Sequence, residues 1–132
     1  MKRNIFLLST VTACILLLLG INVAAAQTQD LSEQAGKFVT LLSSGAYESA
    51  TGMFDETVKS LMPKEKLEEV WQGLQSQVGA FKAQGDIRTG KIQQYDVFYV
   101  PCQFEKTTLD CQIAFDQEGM IAGLFFLPPG SE

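Results

Sequence analysis

Histidine is absent from all 132 residues, and asparagine occurs only at Asn4 and Asn22, inside the first apolar stretch. These absences remove Ser-His-Asp and Cys-His-Asn triads, imidazole acid–base work, and almost every ordinary zinc or haem site. No catalytic residue, metal-ligand set or cofactor is therefore assigned. N-glycosylation has no acceptor beyond the first stretch either. A glycine-rich phosphate loop is missing, since Gly85 and Gly90 flank a strand break with no helix after it. Asp116-Gln117-Glu118-Gly119 lacks the alternating oxygen ligands of a calcium loop. There are no internal repeats and no low-complexity tracts. After residue 26 no apolar run is long enough to span a membrane.

What is present begins with an address. Lys2 and Arg3 precede an apolar run from Ile5 to Val23, and Ala24-Ala25-Ala26 before Gln27 is a small-residue cleavage site. Residues 1–26 are expected to be a signal peptide, and residues 27–132 a single secreted or periplasmic domain. An uncleaved anchor is the rival reading, disfavoured by the alanine triplet and the abrupt polar shift at Gln27. Lipidation at Cys14, after Val11-Thr12-Ala13, is disfavoured because Ile15 to Leu19 follow where a polar tether belongs. Removing Lys2 and Arg3 from 10 basic residues, against 15 acidic ones, moves the formal charge from −5 to −7. That sign opposes nucleic acid and anionic lipid as partners.

The first half of the domain carries helical periodicity. Asp30 with Glu33 is a capping signal, and Leu31, Ala35, Phe38, Val39 and Leu42 recur at helical spacing up to a left-handed stop at Gly45. A short helix with Tyr47, Ala50, Met53 and Phe54 follows. Asp55 caps a further turn, Pro63 sits at a first helical position, and Leu67, Val70, Trp71, Leu74 and Val78 form a stripe that Gly79 ends. Period two then takes over. Phe98, Val100, Cys102 and Phe104 alternate with polar or outward residues, as do Leu109, Cys111, Ile113 and Phe115. A loop centred on Lys106 and Thr107 pairs Phe104 with Leu109, Cys102 with Cys111, Val100 with Ile113, and Phe98 with Phe115. Asp116 to Gly119 is a turn, Met120 to Leu127 a strand, and Pro128-Pro129 its end. A strand between Phe81 and Gln93 is broken by Gly85 and Gly90. Helices before an antiparallel meander imply an α+β fold, N-terminal helices packed on one face of a curved antiparallel sheet of about four strands.

Cys102 and Cys111 are expected to form a disulfide, because an isolated cysteine pair in an exported domain is usually bridged and this register sets them opposite each other. Asp55 with Tyr47, or Asp96 with Tyr99, would supply a carboxylate and a phenol for proton abstraction. Caps and turns account for those acids, and for Asp110, Asp116 and Glu118, without catalysis. Tyr47, Phe54, Trp71, Phe81 and Phe98 are the candidates to line an apolar ligand hollow between sheet and helices, although each also suits a core.

In order and spacing, Phe38-Val39, Leu41-Leu42, Gly45, Tyr47, Ala50, Phe54-Asp55, Leu61-Met62-Pro63, Leu67, Trp71, Leu74, Gly79 and Phe81 resemble the bacterial domain-of-unknown-function family 3887. Asp96-Val97, Val100, Phe104, Phe115-Asp116, Ile121-Ala122-Gly123-Leu124 and Pro128 continue the resemblance over nearly all of residues 27–132. It implies a cystatin-like cone of the nuclear transport factor 2-like kind, with helices on the concave face of a bent sheet. It implies no catalytic residue. In related chains the domain is often attached to a hydrolase. The functional expectation is an exported, non-enzymatic binding module for a small apolar ligand or an envelope protein partner. Two other readings stand beside it. One is a small lyase or isomerase using Tyr and Asp. The other is a homodimer formed through the outer sheet face, with Tyr99, Phe125 and Leu127 exposed.

Overall fold

A computed structural model describes residues 30–130, and those from Leu31 onward belong to one compact unit. The expected signal peptide, Cys14 and the expected cleavage site at Gln27 lie outside the described residues. Helix α1 is described over 30–43 and presents Ala35, Phe38, Val39 and Leu42 to the core, the spacing of one helical face. Asp30, expected to cap it, is itself helical. Gly45 ends the turn at φ 80°, the left-handed position anticipated for it. Helix α2 (Tyr47–Thr51) and helix α3 (Glu56–Leu61) follow, and the Asp55 carboxylate accepts the Val58 N–H at 2.8 Å as the cap of α3. Helix α4 (Lys64–Val78) starts after Pro63, which occupies the cap rather than the first helical position. It buries Leu67 and Trp71.

Five strands follow instead of about four: β1 (Phe81–Gln84), β2 (Arg88–Ile92), β3 (Tyr95–Phe104), β4 (Thr108–Phe115) and β5 (Ile121–Leu127). All pairs are antiparallel in the order β1-β3-β4-β5, with β2 on the same edge of β3 as β1. The division between β1 and β2 has a cause in the neighbouring strand. Pro101 has no N–H to offer the strand beside it, and its carbonyl accepts from Gly85 at 2.8 Å. A Cβ on Gly85 would stand 3.1 Å from the Pro101 ring, so a residue without a side chain fits there. Gly90, expected to break the strand, lies inside β2.

The β3–β4 hairpin differs from the expected register by two residues. Phe104 donates to the Thr107 carbonyl at 2.8 Å, so Glu105 and Lys106 form the turn. Cys102 then lies opposite Leu109, Val100 opposite Cys111, Phe98 opposite Ile113, and Asp96 opposite Phe115. A slip of one would turn the apolar face to solvent, but a slip of two leaves every side chain on its own face. Burial alone therefore cannot choose between these registers. The choice is made outside the hairpin, where the amides of Glu105 and Lys106 donate to Ala80 and Val78 at 3.1 and 2.9 Å.

The even-numbered face of β3, with Phe98, Val100, Cys102 and Phe104, meets Cys111, Ile113, Phe115 and Ile121 and the buried stripes of α1 and α4. This single cluster is the core. The opposite face of the sheet carries Val97, Tyr99, Asp110, Gln112, Ala114 and Phe125.

Candidate functional site: two faces of one sheet

Between sheet and helices, aromatic rings pack against one another. Trp71 lies 5.7 Å from Phe81, 5.7 Å from Phe104 and 6.0 Å from Phe126, while Phe38 meets Phe54 and Phe98 meets Phe115, each at 5.6 Å. These are the separations of packed ring pairs. Phe54, Trp71 and Phe98 are buried, Phe81 is half-buried, and Tyr47 packs against the cluster from α2. The five candidate ligand residues are thus brought into one core. None of them lines the surface hollows on α4, beside β2, at the Asp116 turn or on the opposite face of the sheet.

The carboxylates considered for proton abstraction have other partners. Asp55 is occupied as the α3 cap, and Asp96 is about half exposed and 3.6 Å from the Lys91 amine. Partial burial pushes the Tyr47 phenol up, the Glu68 carboxylate adds to this, and a hydrogen bond with Gln72 opposes it. Tyr99, expected to be exposed on the outer face, is buried there. Its hydroxyl accepts from Gln112 Nε2 at 3.4 Å, and the Arg88 guanidinium lies 5.2 Å from its ring centre. Both cysteines are buried, free and diagonal to each other. Burial first, then the Asp110 carboxylate, pushes the Cys102 thiol up to about 12, an effect that the Cys111 backbone N–H opposes. Cys111 is raised well above the ordinary thiol range by burial, then by Cys102 and Asp110.

Asp110 is the acid whose place the sequence concealed. It is 2% exposed within β4, not in a turn, and it pairs with Arg88 while accepting the Gly130 N–H at 3.0 Å. A polar residue alternating with apolar ones on a strand reads as solvent-facing. No local signal announces that Arg88 and the turn after Pro128 will cover it.

Beside this ion pair the opposite face of the sheet, helix-free among the described residues, is apolar. Ile92, Tyr95, Val97, Ala114, Gly123 and Phe125 are among the residues around a half-open hollow of about 240 Å³. Phe125 is 59% exposed and Ile92 46% exposed, while Val97 is buried and Gln112 is the polar side chain that reaches the hollow. Leu127, expected to be exposed, is half-buried.

Over 115 residues the chain is 28% identical to Esterase EstD of Thermotoga maritima. The match covers 87% of this chain and 27% of the esterase, so the chain spans about a quarter of that relative's length. No solved structure matches the chain. Residues 35–124 match the family described as "Protein of unknown function (DUF3887)", and the core positions of α1 through β5 fall inside that span. The chain belongs to the DUF3887 family.

Proposed function

We propose that this chain is an exported, non-enzymatic module that binds a protein partner on the helix-free face of its sheet. The observation that carries the reading is the placement of Phe125 and Ile92 at an apolar hollow, whereas the rings between sheet and helices pack against one another. Magnitude separates a protein from a small ligand here. Pockets that hold small molecules enclose roughly 300–1,000 Å³ and bury most of the ligand. A half-open hollow of about 240 Å³ with exposed rim residues suits an inserted side chain of another protein better. The relative's architecture agrees with an accessory role, since the matched segment is only 27% of Esterase EstD.

A photo-cross-linking residue at position 92 tests the reading in the producing cells. It should join the chain to one recurring protein, whereas the same residue at position 69 on α4 should not. Equal capture from both positions would remove the face as the binding site. A small apolar molecule retained in native mass spectra, and lost in Trp71→Ala, would move binding into the domain interior.

The similarity to an esterase favours an enzymatic reading, yet the candidate acids of this chain are engaged as a cap, an exposed surface pair and a buried ion pair. Ester turnover by the purified chain above the buffer background would overturn the non-enzymatic proposal.

A further inference from the structure

Strand β5 leaves one edge of the sheet open over a short window. At its start that edge is already in use: Ile121 donates to Met53 at 2.8 Å and its carbonyl accepts from Asp55 at 2.9 Å. Helix α3 follows, in contact with β5 but without a backbone hydrogen bond to it, and Pro128-Pro129 ends regular pairing at the other end. Residues 123–127 lie between these two stops.

The groups that face outward follow from the ladder. Phe104 bonding to Thr107 makes the odd-numbered residues of β4 bond to β3, so Asp110, Gln112 and Ala114 bond to β5. Their partners are Leu127, Phe125 and Gly123. The register shift next to Ala122 explains how Ile121 can face outward while Gly123 faces inward. Leu124 and Phe126 therefore present their N–H and C=O groups at the edge, where they meet no hydrogen-bonding partner among the described residues. Such a row is a template for another strand.

We propose that the occupant is β5 of a second copy, pairing antiparallel and centred on Phe125 to make one continuous sheet across a twofold axis. Three features select a copy of this chain. With Phe125 opposite Phe125 of the second copy, Leu124 meets Phe126 in both directions, and all four outward N–H and C=O pairs are used. On the helix-free face this register sets Leu127 against Gly123, a large side chain against none. Finally, Met120 to Gly130 contains no charged residue, in a chain with 10 basic and 15 acidic residues and a net charge of −5. Two like-charged copies approach at least cost along such a segment. The proposal concerns the edge and does not depend on a partner for the face.

Sedimentation velocity on protein recovered from its producer tests this, together with amide exchange. The wild type should form a dimer that dissociates on dilution, and the Leu124 and Phe126 amides should exchange more slowly as concentration rises. Phe125→Lys, which places two cations together across the axis, should yield monomer with an unchanged circular dichroism spectrum. Leu124→Pro, which removes one outward N–H, gives a second break if the lysine variant does not fold. Ile92→Lys, on the face but away from the edge, should remain dimeric. A wild type that stays monomeric at all concentrations overturns the proposal. So does a dimer that survives the substitution at 125 or 124, or one that Ile92→Lys dissociates while the two amides stay fast, because that dimer would pair through its faces.

Discussion

Arg88 and Asp110, separated by 22 residues, form an ion pair on the face of the sheet that carries no helix among the described residues, and Asp110 also holds the turn at Gly130. The pair joins β2 to β4 across β3. Its two members are unequal: the Asp110 side chain is 3% exposed and that of Arg88 is 38% exposed. Removing the arginine therefore leaves a carboxylate buried, whereas removing the acid leaves a guanidinium that can turn to water.

That asymmetry gives the first prediction. Breaking a buried pair from one side costs ~3–5 kcal/mol, and the partial exposure of Arg88 lowers the expectation here to about 2–3 kcal/mol for Arg88→Met. Asp110→Asn, which keeps an acceptor for Gly130, should cost about 1 kcal/mol. Urea unfolding midpoints measure both. Equal losses, or a larger loss for Asp110→Asn, would show that Asp110 is not the desolvated member.

Gly79 is where helix α4 meets the β3–β4 turn. It adopts φ 90°, and a Cβ there would lie 2.6 Å from the Glu105 Cβ. With ψ 176° as well, this backbone is open essentially to glycine alone and costs a residue with a side chain ~1–3 kcal/mol, before any overlap with the turn is relieved. Gly79→Ala should lower stability by about 2 kcal/mol or more and speed exchange of the Glu105 and Lys106 amides, which bond to Ala80 and Val78. Unchanged exchange at those two amides would separate Gly79 from the hairpin register.

The cysteines give a pH dependence. Cys102 is pushed up to about 12 in the folded chain and Cys111 is raised well above the ordinary range, while unfolded thiols titrate near 9. Folded values above unfolded ones mean that their contribution is complete below about pH 9 and is lost as pH climbs toward 12. Cys102 should reduce stability by about 1.4 kcal/mol per pH unit inside that window, and Cys111 acts in the same direction. Cys102→Ala should flatten the decline between pH 9 and 11, although it weakens the core at neutral pH. In native protein that begins after residue 26, and so lacks Cys14, a thiol reagent at pH 8 should find no reactive group, and after unfolding it should find two. A titre of zero after unfolding would restore the disulfide reading and require the strands to shift toward each other.

Trp71, the one tryptophan of the chain, reports on the ring cluster. Its emission should be blue-shifted in the folded protein and move to the red in a single step with urea. Trp71→Ala should cost ~3–5 kcal/mol, the range for removing a buried aromatic. Emission at the wavelength of exposed tryptophan in the folded state would contradict the packing against Phe81, Phe104 and Phe126.

The residues that local rules govern could be read directly. Asp55 caps α3 because its side chain reaches the Val58 amide three residues away, and Gly45 and Gly79 stop helices because their φ values are positive. The turn at Asp116 forms because its carboxylate collects the amides of Glu118 and Met120, and period two placed Phe98, Val100, Cys111 and Ile113 on one buried face. The candidate ligand residues could also be named as apolar, but not whether they would line a hollow or fill it. That depends on ring-to-ring fit between α4, β1, β3 and β5.

Register shows the boundary most clearly. Alternation has a period of two, so the sequence alone excludes odd slips of the hairpin and is blind to even ones. Contacts from Val78 and Ala80 chose between the even registers, and those carbonyls lie on a segment that only the packed chain brings to the turn. The same limit hid Asp110. Its alternation with apolar neighbours specified a face but not what covers that face, and the cover consists of an arginine two strands away and a turn twenty residues on. Local chemistry and periodicity thus determined the elements, their ends and their inward faces. Tertiary structure decided register, the burial of Asp110 and the packing of the aromatic rings, because each depends on contacts between residues that no local pattern relates.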